Sequence, residues 1–436
     1  MRFRAVKIYT NRQAYLSLNR PAPTSDPKHL QGPTMSLFSA VEMAPRDPIL
    51  GLNEQFAADK SAIKVNLGVG VYFDDNGKLP LLSCVQQAEN AMMSKPTARG
   101  YLPIDGIAAY DTAVKALVFG ESSEAVSAGR VATVQAIGGT GGLKIGADFL
   151  HKLNPQAKVL ISDPSWENHR ALFAAAGFTV ETYAYYDAQA RGVDFQGMLD
   201  SLNAAAPGTV VVLHACCHNP TGYDITSDQW DQVVSVVQSR QLTAFLDMAY
   251  QGFGHGISED GAVINKFVAA GLDFLVSTSF SKSFSLYGER VGALSVHCHS
   301  ADEAAKVLSQ LKIVIRTNYS NPPTHGGAVV AAVLQNPQWR KLWEDELGAM
   351  RVRIKTMRQS LVDGLKTAGV QQDMGFITQQ IGMFSYSGLS KAQMIRLRSE
   401  FGVYGTDTGR MCVAALNSQN VGHVCQAIAS VLKSTP

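Results

Sequence analysis

The sequence predicts an α/β protein: a large domain with a mainly parallel central sheet flanked by helices, plus a smaller α+β domain. Three observations carry this expectation. From about Ala98 to Asn336, short apolar segments alternate with helical patterns. The segments are continuously apolar, as strands covered on both faces are. Each runs straight into polar residues, and in open parallel sheets ligands bind at the carboxyl ends of the strands.

Four segments make the strand case. Ala157–Ser162 runs into Asp163-Pro-Ser, and Gly208–His214 runs toward His218-Asn219-Pro-Thr-Gly222. Thr243–Asp247 runs into Met-Ala-Tyr250, and Leu272–Thr278 runs into Ser279-Phe-Ser-Lys282. The stretch from Trp339 to Gly369 is charged and periodic, which predicts a long amphipathic helix. A strand-and-helix set follows it, including Gly382–Ser387 and Lys391–Phe401. We expect residues 81–349 to form the large domain and residues 35–80 and 350–436 the small one, with the long helix as hinge.

Composition narrows the class. The chain has 436 residues, 46% hydrophobic and 17% charged, long enough for two domains. A net charge of +2 leaves no nucleic-acid footprint. Residues 1–34 hold six Lys and Arg against one Asp, so the body is mildly acidic. This basic leader reads as a disordered tail or an upstream start ahead of Met35, with a transit peptide as the alternative. Cys84, Cys216, Cys217, Cys298, Cys412 and Cys425 have no framework spacing, which predicts free thiols in a reducing, cytoplasmic setting. No apolar run approaches the roughly 18 residues of a membrane span.

Several motifs carry chemistry, each with a plainer alternative. Gly138-Gly-Thr-Gly-Gly142 precedes an apolar helix expected over Ile145–Leu150; glycine N–H groups at a helix start suit a phosphate, and a simple turn is the alternative. His214-Ala-Cys-Cys-His218 and His297-Cys-His299 superficially suggest metal, but five adjacent residues cannot easily wrap one ion, and packed strand residues are expected. Asp247 closes a buried strand, where a carboxylate is costly without a cationic partner. A protonated ring nitrogen would serve; a helix N-cap is the alternative. Trp166 and His169 follow Asp163-Pro-Ser, and an aromatic there could stack on a flat ring. Arg316 and Arg410 are natural bidentate partners of carboxylates, or ordinary surface ion pairs.

Lys282 sits among serines at the end of an apolar run, with Arg290 eight residues on. Ser283 and Ser285 read as helix-start residues. A phosphate cradle, a stacking aromatic, an acid for a ring nitrogen, an amide and a tyrosine for a phenolate oxygen, and a reactive lysine together describe pyridoxal phosphate.

Ten motifs occur in order: NLGVGVY, YLPIDG, GGTGG, DPSWENH, CCHNPTG, LDMAYQGF, SFSKSFSLYGERVG, IRTNYSNPP, GMFSYSGL and TGRMCVA. Through them residues 35–436 closely resemble the class I aminotransferases of pyridoxal-phosphate fold type I, in the aspartate and aromatic amino acid branch. The extended forms are more similar to bacterial aromatic (tyrosine) enzymes.

The resemblance implies amino transfer from tyrosine, phenylalanine or aspartate to 2-oxoglutarate. It makes Lys282 the covalent anchor and proton carrier, with Asp247 on the pyridine nitrogen and His169 supporting Asp247. It places Asn219 and Tyr250 on the 3′-oxygen and Trp166 on the ring face. It gives Gly139, Thr140, Ser279, Ser281 and Arg290 to the phosphate, joined by Tyr101 from a partner subunit. It assigns the substrate α-carboxylate to Arg410, Asn219 and the backbone at Gly70, and a side-chain carboxylate to Arg316 of the partner. A homodimer follows. Gly142 stands where the family more often has alanine. The alternatives are an aspartate aminotransferase with little aromatic activity and a non-catalytic binding protein on this fold.

Overall fold

The computed structural model describes residues 36–45, 47 and 49–433. The expectations for residues 1–34 and Met35 lie outside them. Residues 36–45 belong to a short unit of their own, with a turn at Leu37–Ala40; the residues from Asp47 onward form the other unit.

The larger unit is built on a seven-stranded sheet. Its strands are β1 (Val131–Ile137), β2 (Lys158–Asp163), β3 (Thr179–Ala184), β4 (Val210–His214), β5 (Thr243–Met248), β6 (Phe274–Ser279) and β7 (Val291–His297). Their spatial order is β1-β7-β6-β5-β4-β2-β3. The pairs β6/β5, β5/β4, β4/β2 and β2/β3 are parallel, while β7 runs antiparallel to both β1 and β6. The fold class is therefore the expected mainly parallel α/β sheet, with one reversed strand. Six carboxyl ends share one edge of the sheet, and the reversed β7 starts at that same edge.

The sheet is covered on both faces, which explains its continuous apolar runs. Alternate side chains of a strand point to opposite faces. Val211, Leu213, Leu246, Val276 and Ala293 enter one core. Their neighbours Val210, Val212, Phe245, Leu275 and Leu294 enter the other. The helices Gly138–Leu153 and Ala301–Asn318 supply Ile145, Phe149, Leu311 and Ile315 to the second core. The helices Ala108–Phe119, His325–Gln335 and Pro337–Thr367 pack on the first. Removing a side chain such as Phe245, 0% exposed, would cost about 3–5 kcal/mol.

The long helix spans Pro337–Thr367. Asn336 caps it by accepting from Gln338 N and Trp339 N at 3.0 and 3.1 Å, and Pro337 sits in the first turn, where its missing N–H costs nothing. Beyond it, Phe384–Tyr386 pairs antiparallel with Arg410–Cys412, and Val65–Asn66 pairs parallel with Val403–Tyr404. The helix Lys391–Phe401 carries a capping box from Ser390 and Gln393 and ends on Gly402 in the left-handed region. No described helix is long and apolar enough to cross a membrane.

Candidate active site

The carboxyl edge of the sheet opens into one cavity of about 260 Å³. Gly139 and Thr140 reach it from the end of β1, Trp166 from β2, and His214 and Asn219 from β4. Asp247 and Tyr250 come from β5, Ser279, Ser281 and Lys282 from β6, and Arg290 from the start of β7. Gly70 and its neighbours Val69 and Val71 close it from the segment after Val65–Asn66.

The glycine run is not a loop ahead of a helix. The helix begins at Gly138, so the glycine run forms its first turn, seven residues earlier than the sequence suggests. First-turn N–H groups lack intrahelical partners and carry the positive end of the helix dipole. Arg290 adds a full charge there. A Cβ on Gly138, whose φ is +73°, would lie 2.3 Å from Arg290 Nη2. Arg290 Nη1 donates to Ser281 Oγ at 3.2 Å and to Tyr287 O at 3.0 Å. A Cβ on Gly139 would sit 3.0 Å from Ser279 Cβ. Three hydroxyl residues, a helix start and a guanidinium thus converge on one spot, a donor set suited to a phosphate dianion. Gly142 also gains a reason: a Cβ there would meet Ser277 Oγ at 2.6 Å and Ala293 O at 2.8 Å, so glycine lets the helix lie close on β6 and β7.

Asp247 is buried at the end of β5, with its Oδ2 2.8 Å from His169 Nε2; His169 Nδ1 is 2.9 Å from Ser165 Oγ. Burial opposes its charge. The hydrogen bond from His169, with the facing His169 and His214 rings and the Lys282 charge, outweighs that and holds the carboxyl below its usual range. Asp247 is not a helix cap; the next helix starts at Ile257, after Gly256. Trp166 meets His169 edge-on at 5.2 Å.

The Lys282 ammonium lies 4.8 Å from the Tyr250 ring centroid. Burial lowers its pKa to about 8; Arg290 and Arg410 push the same way, and Asp247 opposes them. Burial pushes the Tyr250 phenol well up. Ser283 and Ser285 do not start a helix: residues 281–285 form a turn, in which Ser283 O accepts from Trp343 Nε1 at 2.7 Å and Ser285 has a φ of 54°.

Arg410, 1% exposed, donates through Nη1 to Asn219 Oδ1 at 3.1 Å and through Nη2 to Gly68 O at 2.7 Å. Its Nε has no partner among the described residues. The Phe384 ring lies 4.3 Å below the guanidinium, and a Cβ on Gly70 would strike that ring at 2.7 Å.

Two predicted residues lie elsewhere. Tyr101, 97% exposed, and Arg316 line a separate surface depression with Tyr319, Asn321 and Pro322. Arg316 Nη1 donates to Ser320 Oγ within its own chain. The single chain leaves both outside the cavity.

In the two histidine clusters His218 and His297 are buried and His214 half-buried, while His299 is exposed. His218 pairs with Ser162 Oγ and Thr221 Oγ at 2.9 and 2.8 Å and stacks on Tyr185 at 4.0 Å. Burial drives the His214 imidazole down to about 3. His297 Nδ1 donates to Leu272 O at 2.7 Å. All six cysteines are free and buried. Sequence reasoning missed Leu143 and Tyr287 as lining residues; Tyr287 OH accepts from Tyr72 N at 3.0 Å. The aromatic inside SFSLYGER was the available signal for Tyr287.

Comparison with known proteins agrees with this geometry. The family described as aminotransferase class I and II matches residues 62–428. An aspartate aminotransferase of Pseudomonas aeruginosa is 60% identical over 398 residues, 91% of this chain and all of that one. The aromatic-amino-acid aminotransferase of Escherichia coli is 49% identical over 397 residues, again 91% and 100% of the two chains. The crystal structure of an aromatic-amino-acid aminotransferase from Burkholderia pseudomallei, covalently bound to pyridoxal phosphate, matches with a TM-score of 0.89 and 65% identity, covering 91% of this chain and 100% of that one. The chain belongs to the class I and II aminotransferases, a pyridoxal-phosphate-dependent family of enzymes.

Proposed function

We propose that this enzyme transfers the amino group of tyrosine, phenylalanine or aspartate to 2-oxoglutarate by a ping-pong reaction. The observation that carries the reading is the buried Lys282 amine, depressed to about 8, in one cavity with the Asp247 carboxylate and the anion cradle. Bound there, pyridoxal phosphate supplies an electron sink that makes the substrate α-proton removable.

The chain's residues do the rest. Gly139, Thr140, Ser279, Ser281 and Arg290 hold the phosphate. Asp247, steadied by His169, keeps the ring nitrogen protonated. Trp166 faces the ring, and Asn219 and Tyr250 hold its 3′-oxygen. Arg410, with Asn219 and the Gly70 backbone, clamps the α-carboxylate; its Nε, without a partner among the described residues, is one of the donors left for that group. Lys282 Nζ, once neutral, accepts the α-proton and later returns one.

The reading includes a homodimer. Tyr101 and Arg316, outside their own cavity, would enter the partner's: Tyr101 at the phosphate and Arg316 at a substrate side-chain carboxylate. It also includes a small domain of residues 35–80 and 350–436 around a large one of 81–349; the pairing of Val65–Asn66 with Val403–Tyr404 supports this. A cytoplasmic setting suits six free thiols.

The Pseudomonas relative favours a second reading, an aspartate enzyme with little aromatic activity. Comparing kcat/KM for aspartate and phenylalanine, each with 2-oxoglutarate, separates the two. Values within about 100-fold of each other support the first reading; a larger preference for aspartate supports the second.

A further inference from the structure

Arg358 lies in the middle of the long helix, 2% exposed. No carboxylate among the described residues pairs with it. Its guanidinium instead donates to three main-chain carbonyls: Nη1 to Ile377 O at 3.3 Å, and Nη2 to Gly382 O at 2.7 Å and Phe384 O at 2.5 Å. A buried cation without an anion is expensive to keep. Burial lowers its pKa to about 10, which still leaves it charged at neutral pH. The planar guanidinium holds its donors in a fixed fork, so it sets the relative placement of several carbonyls more rigidly than a compact ammonium on a flexible stem does.

Those carbonyls belong to the segment that ends in Phe384. The same segment packs on the turn that carries Asn219. Ile381 N donates to Gly222 O at 2.8 Å, and a Cβ on Gly382, φ +79°, would strike Cys217 Cβ at 2.6 Å. Phe384 then places its ring against Arg410, Gly70 and Tyr250, the last edge-on at 5.8 Å. Arg410 in turn reaches Asn219.

We infer that Arg358 is a positioning residue for substrate carboxylate binding. It fixes the Ile377–Phe384 segment, and Phe384 fixes the plane of Arg410. It touches neither the anion cradle nor Asp247 and Lys282, which hang from the sheet. Its loss therefore weakens carboxylate recognition for donor and acceptor together far more than it weakens cofactor binding, whose phosphate and ring-nitrogen contacts it does not reach. This inference rests on the transaminase reading, since it takes Arg410 as the carboxylate clamp.

The test compares wild type, Arg358→Met, Arg358→Lys, Phe384→Leu and the double variant Arg358→Met/Phe384→Leu, all as holoenzyme. For each, KM and kcat with phenylalanine and 2-oxoglutarate, inhibition by 3-phenylpropionate, and the affinity for pyridoxal phosphate are measured. We expect both KM values and the inhibition constant to rise about tenfold or more in Arg358→Met, with kcat less affected and cofactor affinity within about twofold. Arg358→Lys, which keeps the charge but loses the fork, should show the same signature in weaker form and serves if the methionine variant does not fold. Phe384→Leu should reproduce it, and the double variant should add little, because both act on one contact. Unchanged KM values in the arginine variants, additive effects, or a loss confined to cofactor affinity would overturn the inference. A wild type that transfers no amino group would instead defeat the transaminase reading.

Discussion

At Lys282 burial and charge pull in opposite directions. Desolvation disfavours the ammonium, Asp247 favours it, and two nearby arginines tip the balance to a pKa of about 8. The neutral amine is the reactive form, so in cofactor-free protein the rate of pyridoxal phosphate attachment should rise with pH and level off above about 8. A rate still climbing steeply at pH 10 would mean an ordinary, solvated lysine. Gly138 is the second residue-scale test. Gly138→Ala must strain a φ of +73° and push a methyl into Arg290, so cofactor affinity should fall at least about tenfold in an equilibrium titration. The residues that stand out in the sequence and share one cavity in the structure are those whose chemistry is costly without a purpose: Asp247 closing an apolar strand, Lys282 among serines. Arg358 left no such trace, because in a charged, periodic segment an arginine that faces inward looks like its solvated neighbours.

The elements were legible where one force dominates. The runs before Asp163, His218, Tyr250 and Lys282 became β2, β4, β5 and β6 because burial on two faces demands continuous apolar side chains. β3 escaped notice: much of Thr179–Ala184 is exposed, and its sequence is correspondingly mixed. β7 also escaped, since an apolar run cannot reveal that its strand is reversed. The helix at Gly138 was placed late because glycine propensity argues against helix, while contact with Arg290, Ser277 and the Ala293 backbone overrides propensity. The long helix, by contrast, announces both its period and its cap. Asn336→Ala should cost about 1 kcal/mol by removing two capping bonds. A urea titration would register that loss while kcat/KM stays within about twofold; a large fall in kcat/KM would show the helix start to be coupled to the site.

On the scale of the whole molecule, one chain supplies all the proposed site residues except two, and those two lie together outside the cavity. The proposed dimer rests on family likeness alone, because an exposed tyrosine and an exposed arginine look the same whether water or a partner covers them. Hybrid dimers test it. Lys282→Ala and Arg316→Ala proteins should each be nearly inactive with a dicarboxylate substrate such as aspartate. Unfolded and refolded together in equal amounts, they should recover roughly a quarter of wild-type activity, since half the dimers then hold one intact site of two. No recovery would place Arg316 in its own subunit's site. The central claim is that Lys282 both anchors the cofactor and moves the substrate proton. It is tested most directly by the turnover of tyrosine with 2-oxoglutarate in Lys282→Ala protein saturated with pyridoxal phosphate. The account predicts a folded protein slower than wild type by at least about 10²–10⁴-fold; turnover near the wild-type rate would contradict it.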